Sequence, residues 1–232
     1  MKIRFLILIL ITAQSFFAQK ITNETLKDIE LSKHKKIVSK AIKYNDANTV
    51  INSMHQIVAI EGENSSYKDS LAITYFSVGN YISSHLIAKE LLVSKPENIQ
   101  LLEINAVSLQ NLGYAKEAIE AYEVLFLKTN NMAHGYQLSN LQYSIKRLSE
   151  AKNTIIKTLQ CNEIDNAFLQ FSIDKNNNQN VPLKAAVFNL KGLIEFELKD
   201  NKSAKEAFEE ALKIMPEFGL ATQNYNAIVT LQ

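Results

Sequence analysis

Acid–base or metal chemistry in this chain would have to come from four histidines, one cysteine and scattered carboxylates. The histidines are His34, His55, His85 and His134. Helical metal sites set two ligands a turn apart on one face. No two of these histidines have that spacing, and no carboxylate cluster joins them, so they read as ordinary surface or interhelix residues. Cys161 is the single cysteine and cannot close an internal disulfide. It is either buried and inert or a route to dimers, and its place at the end of an apolar helical pattern favours burial. Glu206, Glu209 and Glu210 interleave with Lys202, Lys205 and Lys213 at i, i+3 and i+4, the spacing of helix-surface ion pairs rather than of an acid/base couple. The chain has six glycines and lacks a glycine-rich phosphate loop, a G-x-S-x-G elbow and a C-x-x-C pair. The expectation is a non-enzymatic protein with no catalytic residue, no metal and no cofactor.

The bounds point the same way. Lys2 and Arg4 precede an apolar run, Phe5 to Ile11, too short to span a bilayer comfortably, and small residues follow in Thr12 to Gln19. This is the pattern of a secretory leader. Residues 1–18 are expected to be removed after Ala18, or alternatively after Ser15, and residues 19–30 to form an N-terminal segment. Without Lys2 and Arg4, 23 Lys and Arg face 24 Asp and Glu, a net charge of −1. No basic excess is available for a phosphate backbone, so nucleic acid is not expected as a partner. No later segment is apolar enough for an integral membrane span. The expected location is outside the cytoplasm, periplasmic or secreted.

The elements that would position any site repeat along the chain. Ala72 recurs as Ala106, Gly79 as Gly113, Leu91 as Leu125 and Asn64 as Asn98, each pair 34 residues apart. Within Ser65 to Asn98, Leu71, Ala72, Tyr75 and Phe76 make a helical stripe. Gly79-Asn80 ends it, because both residues tolerate a left-handed backbone. Tyr81, Leu86, Leu91 and Leu92 continue on a second helix, which Pro96 stops. Asp46 is placed to cap the second helix of the preceding unit. The segment Phe188 to Pro216 repeats the pattern with Gly192, Ala204, Phe208, Ala211 and Pro216.

A 34-residue period of paired helices resembles the tetratricopeptide repeat. Five units align: Leu31–Asn64, Ser65–Asn98, Ile99–Met132, Ala133 to about Asn162, and Ala185–Phe218. The small residue of the first helix (helix A) corresponds to Ala72, Ala106 and Gly192. The alanine early in the second (helix B) corresponds to Ala118, Ala151 and Ala204, and its aromatic to Tyr122 and Phe208. The fourth unit runs one residue short near Arg147-Leu148. The resemblance implies an all-α fold, a right-handed α-solenoid of about five helix pairs over 31–162 and 185–218. Residues 219–232 would add a C-terminal capping helix that covers apolar surface at the open end. The period fails across the insertion 163–184. There Ala167 to Ile173 alternates apolar and polar residues ahead of the turn-prone run Asp174 to Asn178, which fits either a β-hairpin or a linker tucked against the helices.

In tetratricopeptide arrays one face of each helix A lines a concave groove. Mapped here, that face carries Asp69, Ile73 and Phe76; Glu103, Val107 and Gln110; Gln137 and Leu141; and Asn189, Leu193 and Phe196. An apolar floor with polar edges suits an extended peptide or an amphipathic helix. The family's carboxylate-holding variant is not expected: its positions fall on Lys35, Asp69, Glu103 and Asn189, and two acids would repel a carboxylate. The resulting expectation is a protein-interaction module of the bacterial cell envelope that holds a partner protein or peptide in its groove. The alternative is a structural subunit of an envelope assembly that uses its convex face or the insertion.

Overall fold

A computed structural model of the chain describes residues 2–161, 167–172 and 178–230, with side chains placed from residue 23 onward. The leader side chains and the turn expected over 174–177 lie outside the described residues. The chain divides into two compact units, 1–95 and 96–232. The first contains α1 (Lys2–Lys43), α2 (Ala47–Glu61), α3 (Tyr67–Ser77) and α4 (Tyr81–Ser94). The second contains α5 (Ile99–Asn111), α6 (Ala115–Thr129), α7 (Met132–Ser144), α8 (Leu148–Thr158), β1 (Phe168–Ser172), β2 (Asn178–Pro182), α9 (Leu183–Glu197), α10 (Asn201–Ile214) and α11 (Gly219–Val229). The fold is all-α, built of helix pairs with one small hairpin.

A single local device turns the chain in every pair. Each helix A ends in one left-handed residue: Asn45, Gly79, Gly113, Lys146 or Lys199. The amide after it donates to a carbonyl five residues back, giving Asp46→Ala41, Asn80→Tyr75, Tyr114→Leu109, Arg147→Gln142 and Asp200→Glu195. This Schellman closure satisfies carbonyls that a helix end leaves orphaned. The donor residue is itself the N-cap of helix B. Asp46, Asn80 and Asp200 accept from the amides of Thr49, Ser83 and Ser203 respectively. Glycine takes the left-handed backbone without steric penalty, whereas Asn45, Lys146 and Lys199 each carry a strain of about 1 kcal/mol. The turn thus tolerates residue types that a glycine pattern would miss.

The same turns locate the short repeat. Gly79 and Gly113 are 34 residues apart, but Gly113 to Lys146 is one residue fewer. The missing residue does not fall at Arg147-Leu148. It falls earlier, where α6 ends in left-handed Asn130 (φ 45°) and Asn131 at once caps α7 through the amides of Ala133 and His134. One residue is about 100° of helix rotation, so the face that α7 presents differs from the face that strict 34-residue spacing assigns.

Each unit has its own core. In the first, Val38, Ala41, Val50, Met54, Ile57 and Leu71 form a buried cluster. In the second, a larger cluster runs from Met132 and Ile155 through Val187, Leu190 and Ile194 to Phe218 and Ala221. Close approach of α9 and α10 depends on Gly192, beneath which the Phe208 ring lies fully buried. Glu195, almost fully buried, is neutralised by Lys152 Nζ of α8 at 2.7 Å. Cys161 is buried as expected. Its Sγ lies 3.3 Å from Asn130 Oδ1, and burial pushes the thiol pKa up, away from reactive thiolate.

The insertion is a hairpin. β1 and β2 pair antiparallel with Phe168 opposite Pro182 and Ser172 opposite Asn178. One face carries Leu169, Phe171 and Val181 inward; Val181 is fully buried and the Phe171 ring meets Phe218 edge-on at 5.3 Å. Gln179 fixes β2 to the turn before α11, donating to the Glu217 carbonyl at 2.6 Å and accepting from the Gly219 amide at 3.2 Å. A two-stranded hairpin is marginal alone, so this inward face and the Gln179 clamp are what hold it.

Candidate functional site

Four of the groove candidates meet in one place. Glu103, Val107 and Gln110 on α5 and Gln137 on α7 line a cleft of about 300 Å³, together with Asn111, Tyr122, Ala133 and His134. The α5 contributors follow helical spacing, which puts them on one face. Asn111 extends that face by one turn beyond Val107, and its Nδ2 donates to the Val107 carbonyl at 2.8 Å. On α7, His134 stands one turn before Gln137 on the shared face.

A directional chain of hydrogen bonds organises the cleft. The Tyr122 hydroxyl, from α6, donates to Gln110 Oε1 at 2.8 Å, and Gln110 Nε2 donates to Gln137 Oε1 at 3.2 Å. The chain runs from the buried phenol outward and leaves the Gln137 amide NH₂ as the terminal donor. Burial, assisted by the nearby Glu103 charge, holds the Tyr122 phenol well above its usual pKa, so it remains a donor at any physiological pH. Val107 and Ala133 supply the apolar part of the lining. Amide donors, a carboxylate and a small apolar floor are the groups that grip a polypeptide backbone and one side chain. They do not form a nucleophile–base pair. Among the described residues no group of three or more His, Cys, Asp or Glu could hold a metal ion.

Nothing in the sequence distinguished His134 from the other three histidines. Its Nδ1 lies 2.9 Å from Thr129 Oγ1 and its Nε2 3.9 Å from Glu103 Oε1. Its signal was the i, i+3 relation to Gln137, visible once α7 is treated as a face rather than as isolated repeat positions.

The other candidates lie elsewhere. Leu141 is buried. Asn189 is also buried, and its Oδ1 accepts from Asn224 Nδ2 of α11 at 3.0 Å. Leu193 and Phe196 pack against the cluster of Ala204, Phe208 and Ile228, with Tyr225 beside them. The capping helix therefore occupies the face that those three residues of α9 would have offered. In the first unit Asp69 is held by Lys95 Nζ at 2.7 and 2.8 Å. Phe76 sits edge-on to Tyr81 at 5.9 Å, and Ile73 is exposed.

Residues 185–218 match the tetratricopeptide repeat family. No curated protein matches the sequence. Among solved structures, YrrB, described as a tetratricopeptide repeat protein with an unusual peptide-binding site, is similar at TM-score 0.63 and 14% identity, over 82% of this chain and 89% of that one. A tetratricopeptide repeat protein from Parabacteroides merdae is similar at 0.62 and 13%, over 87% and 73%. MamA from Desulfovibrio magneticus RS-1 is similar at 0.59 and 12%, over 82% and 97%. At these identities the likeness is one of fold. The chain carries a tetratricopeptide repeat at 185–218 and has the all-α solenoid fold of tetratricopeptide repeat proteins.

Proposed function

We propose that the chain is a non-enzymatic protein-interaction module that holds an extended segment of a partner protein in the cleft between α5 and α7. The observation that carries this reading is the Tyr122–Gln110–Gln137 relay, which ends in the Gln137 amide NH₂ at the cleft and stands beside the apolar Val107 and Ala133. A peptide carbonyl satisfies that donor, and a side chain on the apolar patch adds the buried area that affinity requires. The test is selection of a random short-peptide library on the full chain, followed by titration of the enriched peptides. In a Val107→Gln, Gln137→Ala double variant, shown by circular dichroism to be folded, affinity is expected to fall about tenfold or more, about 1.4 kcal/mol. Enriched peptides that bind the variant as well as the parent would remove the cleft from consideration.

A second reading, a structural subunit that uses the insertion, is favoured by one observation. Phe168 on the outward face of the hairpin is 56% exposed. Binding lost in Phe168→Ser and retained in the cleft variant would support it.

We also propose that the module works in the cell envelope. Lys2 and Arg4, the apolar run Phe5 to Ile11 and the small residues that follow support export with loss of the leader. Intact-mass measurement of the chain recovered from cells is expected to show an N-terminus at Gln19 or Phe16. An N-terminus at Met1 would refute leader removal.

A further inference from the structure

The protonation pattern of His134 gives the cleft a chemical preference. Thr129 has one hydroxyl proton. Its Oγ1 lies 2.8 Å from the Leu125 carbonyl, which can only accept, so the proton points there. The 2.9 Å contact between Thr129 Oγ1 and His134 Nδ1 must then be donated by the imidazole. Neutral His134 is therefore the Nδ1–H tautomer, and its Nε2 lone pair faces outward. Burial favours that neutral form and lowers the His134 pKa, against the opposing pull of Glu103.

What the lone pair faces is another acceptor. Glu103 Oε1 stands 3.9 Å away in the same cleft lining, too far for a hydrogen bond to Nε2 and close enough for one donor group to reach both. Two electron-rich groups so placed accept a donor that carries several hydrogens and a positive charge. An ammonium nitrogen about 2.8 Å from each fits their separation, and a guanidinium can present two N–H groups to the pair. Val107 and Ala133 lie along the same lining, where the methylenes of a long cationic side chain can rest.

We propose that this cleft selects a lysine or arginine side chain of the bound partner, seated between Glu103 and His134. The inference rests on the peptide-binding reading of the cleft and names the residue that it recognises. It also gives Glu103 a positive role: the acid that repels a carboxylate attracts a cation.

The test uses the full chain and five pools of random short peptides, each fixed at the central position as Lys, Arg, Gln, Leu or Glu, titrated at physiological salt. The Lys and Arg pools are expected to bind at least about fivefold more tightly than the Gln pool, a factor reduced by the partial exposure of Glu103. Glu103→Gln should bring that ratio below about twofold by weakening the Lys and Arg pools more than the Leu and Gln pools. Gln137→Ala should weaken all pools alike. Pools that bind without preference for Lys or Arg would overturn this proposal and leave the peptide-binding reading standing. No binding by any pool would overturn both. Nitrogen-15 spectra of the imidazole provide an independent check: Nδ1 should be protonated and Nε2 bare at neutral pH. A dominant Nε2–H tautomer would also overturn the proposal.

Discussion

Replacing Gly192 by alanine should destabilise the α9–α10–α11 region by about 2 kcal/mol, although alanine is the better helix former. A Cβ at this position would lie 2.4, 2.6 and 2.7 Å from three carbons of the Phe208 ring. The ring is 1% exposed and wedged among Ala204 and Ile228, so it has nowhere to withdraw. Two effects compete. Alanine gains about 1 kcal/mol of helix propensity over glycine. Overpacking a filled core costs about 1–3 kcal/mol or more, and three aromatic carbons under van der Waals contact place this site at the upper end. The clash wins. Phe208→Leu in the Gly192→Ala background should recover part of the loss, although Phe208→Leu alone is destabilising. Denaturant titrations of the four proteins give the coupling free energy. Additive effects, or a Gly192→Ala variant within about 0.5 kcal/mol of the parent, would show that the helices can separate without cost.

Truncating Phe218 is the second large effect. The side chain is fully buried at the N-cap of α11 and its ring packs edge-on against Phe171 of β1 at 5.3 Å. Phe218→Ala should cost about 4 kcal/mol, from the cavity term for a buried aromatic and about 1 kcal/mol of lost ring–ring contact. Because repeats unfold in local blocks, the loss should be uneven. Hydrogen exchange should accelerate most in the hairpin and α11 and least in the first unit. Phe168→Ala on the outward face of the same strand is the control and should change stability by less than about 0.5 kcal/mol. A uniform rise in exchange across the chain would refute the claim that Phe218 anchors a local block.

Much of the frame was legible in the sequence because its causes are local. Gly79 and Gly113 announce left-handed helix ends, and Asp46 and Asn80 carry side chains able to cap the next amide. Both depend on residues within one turn. The alternation of Ala167 to Ile173 likewise left a hairpin or a packed linker open. The choice between them was made by contacts to Phe218 and by the Gln179 clamp, and both of those partners lie outside the insertion.

The candidate site was half legible. A repeat period assigns Glu103, Val107 and Gln110 to one helix face, and that face does line the cleft. The same period placed Leu141 beside them. Leu141 is buried instead, although Gln137 one turn before it lines the cleft, and a repeat period does not report how deeply each turn of a face is packed. Asn189, Leu193 and Phe196 are on the expected helix, but α11 covers their face, and helical periodicity does not report which neighbour occupies a surface.

By itself the sequence determined the 34-residue period, the turns at Gly79 and Gly113, and the small residues that let helices cross closely. Each follows from backbone preference or side-chain size at one position. The tertiary structure alone decided which side chains meet. Gln110 and Gln137 bond across 27 residues. Tyr122 aligns their dipoles from a third helix, and the Leu125 carbonyl, acting through Thr129, fixes which nitrogen of His134 carries the proton. A cleft is set by the relative rotation of packed helices, and that rotation is the sum of interactions far apart in the chain.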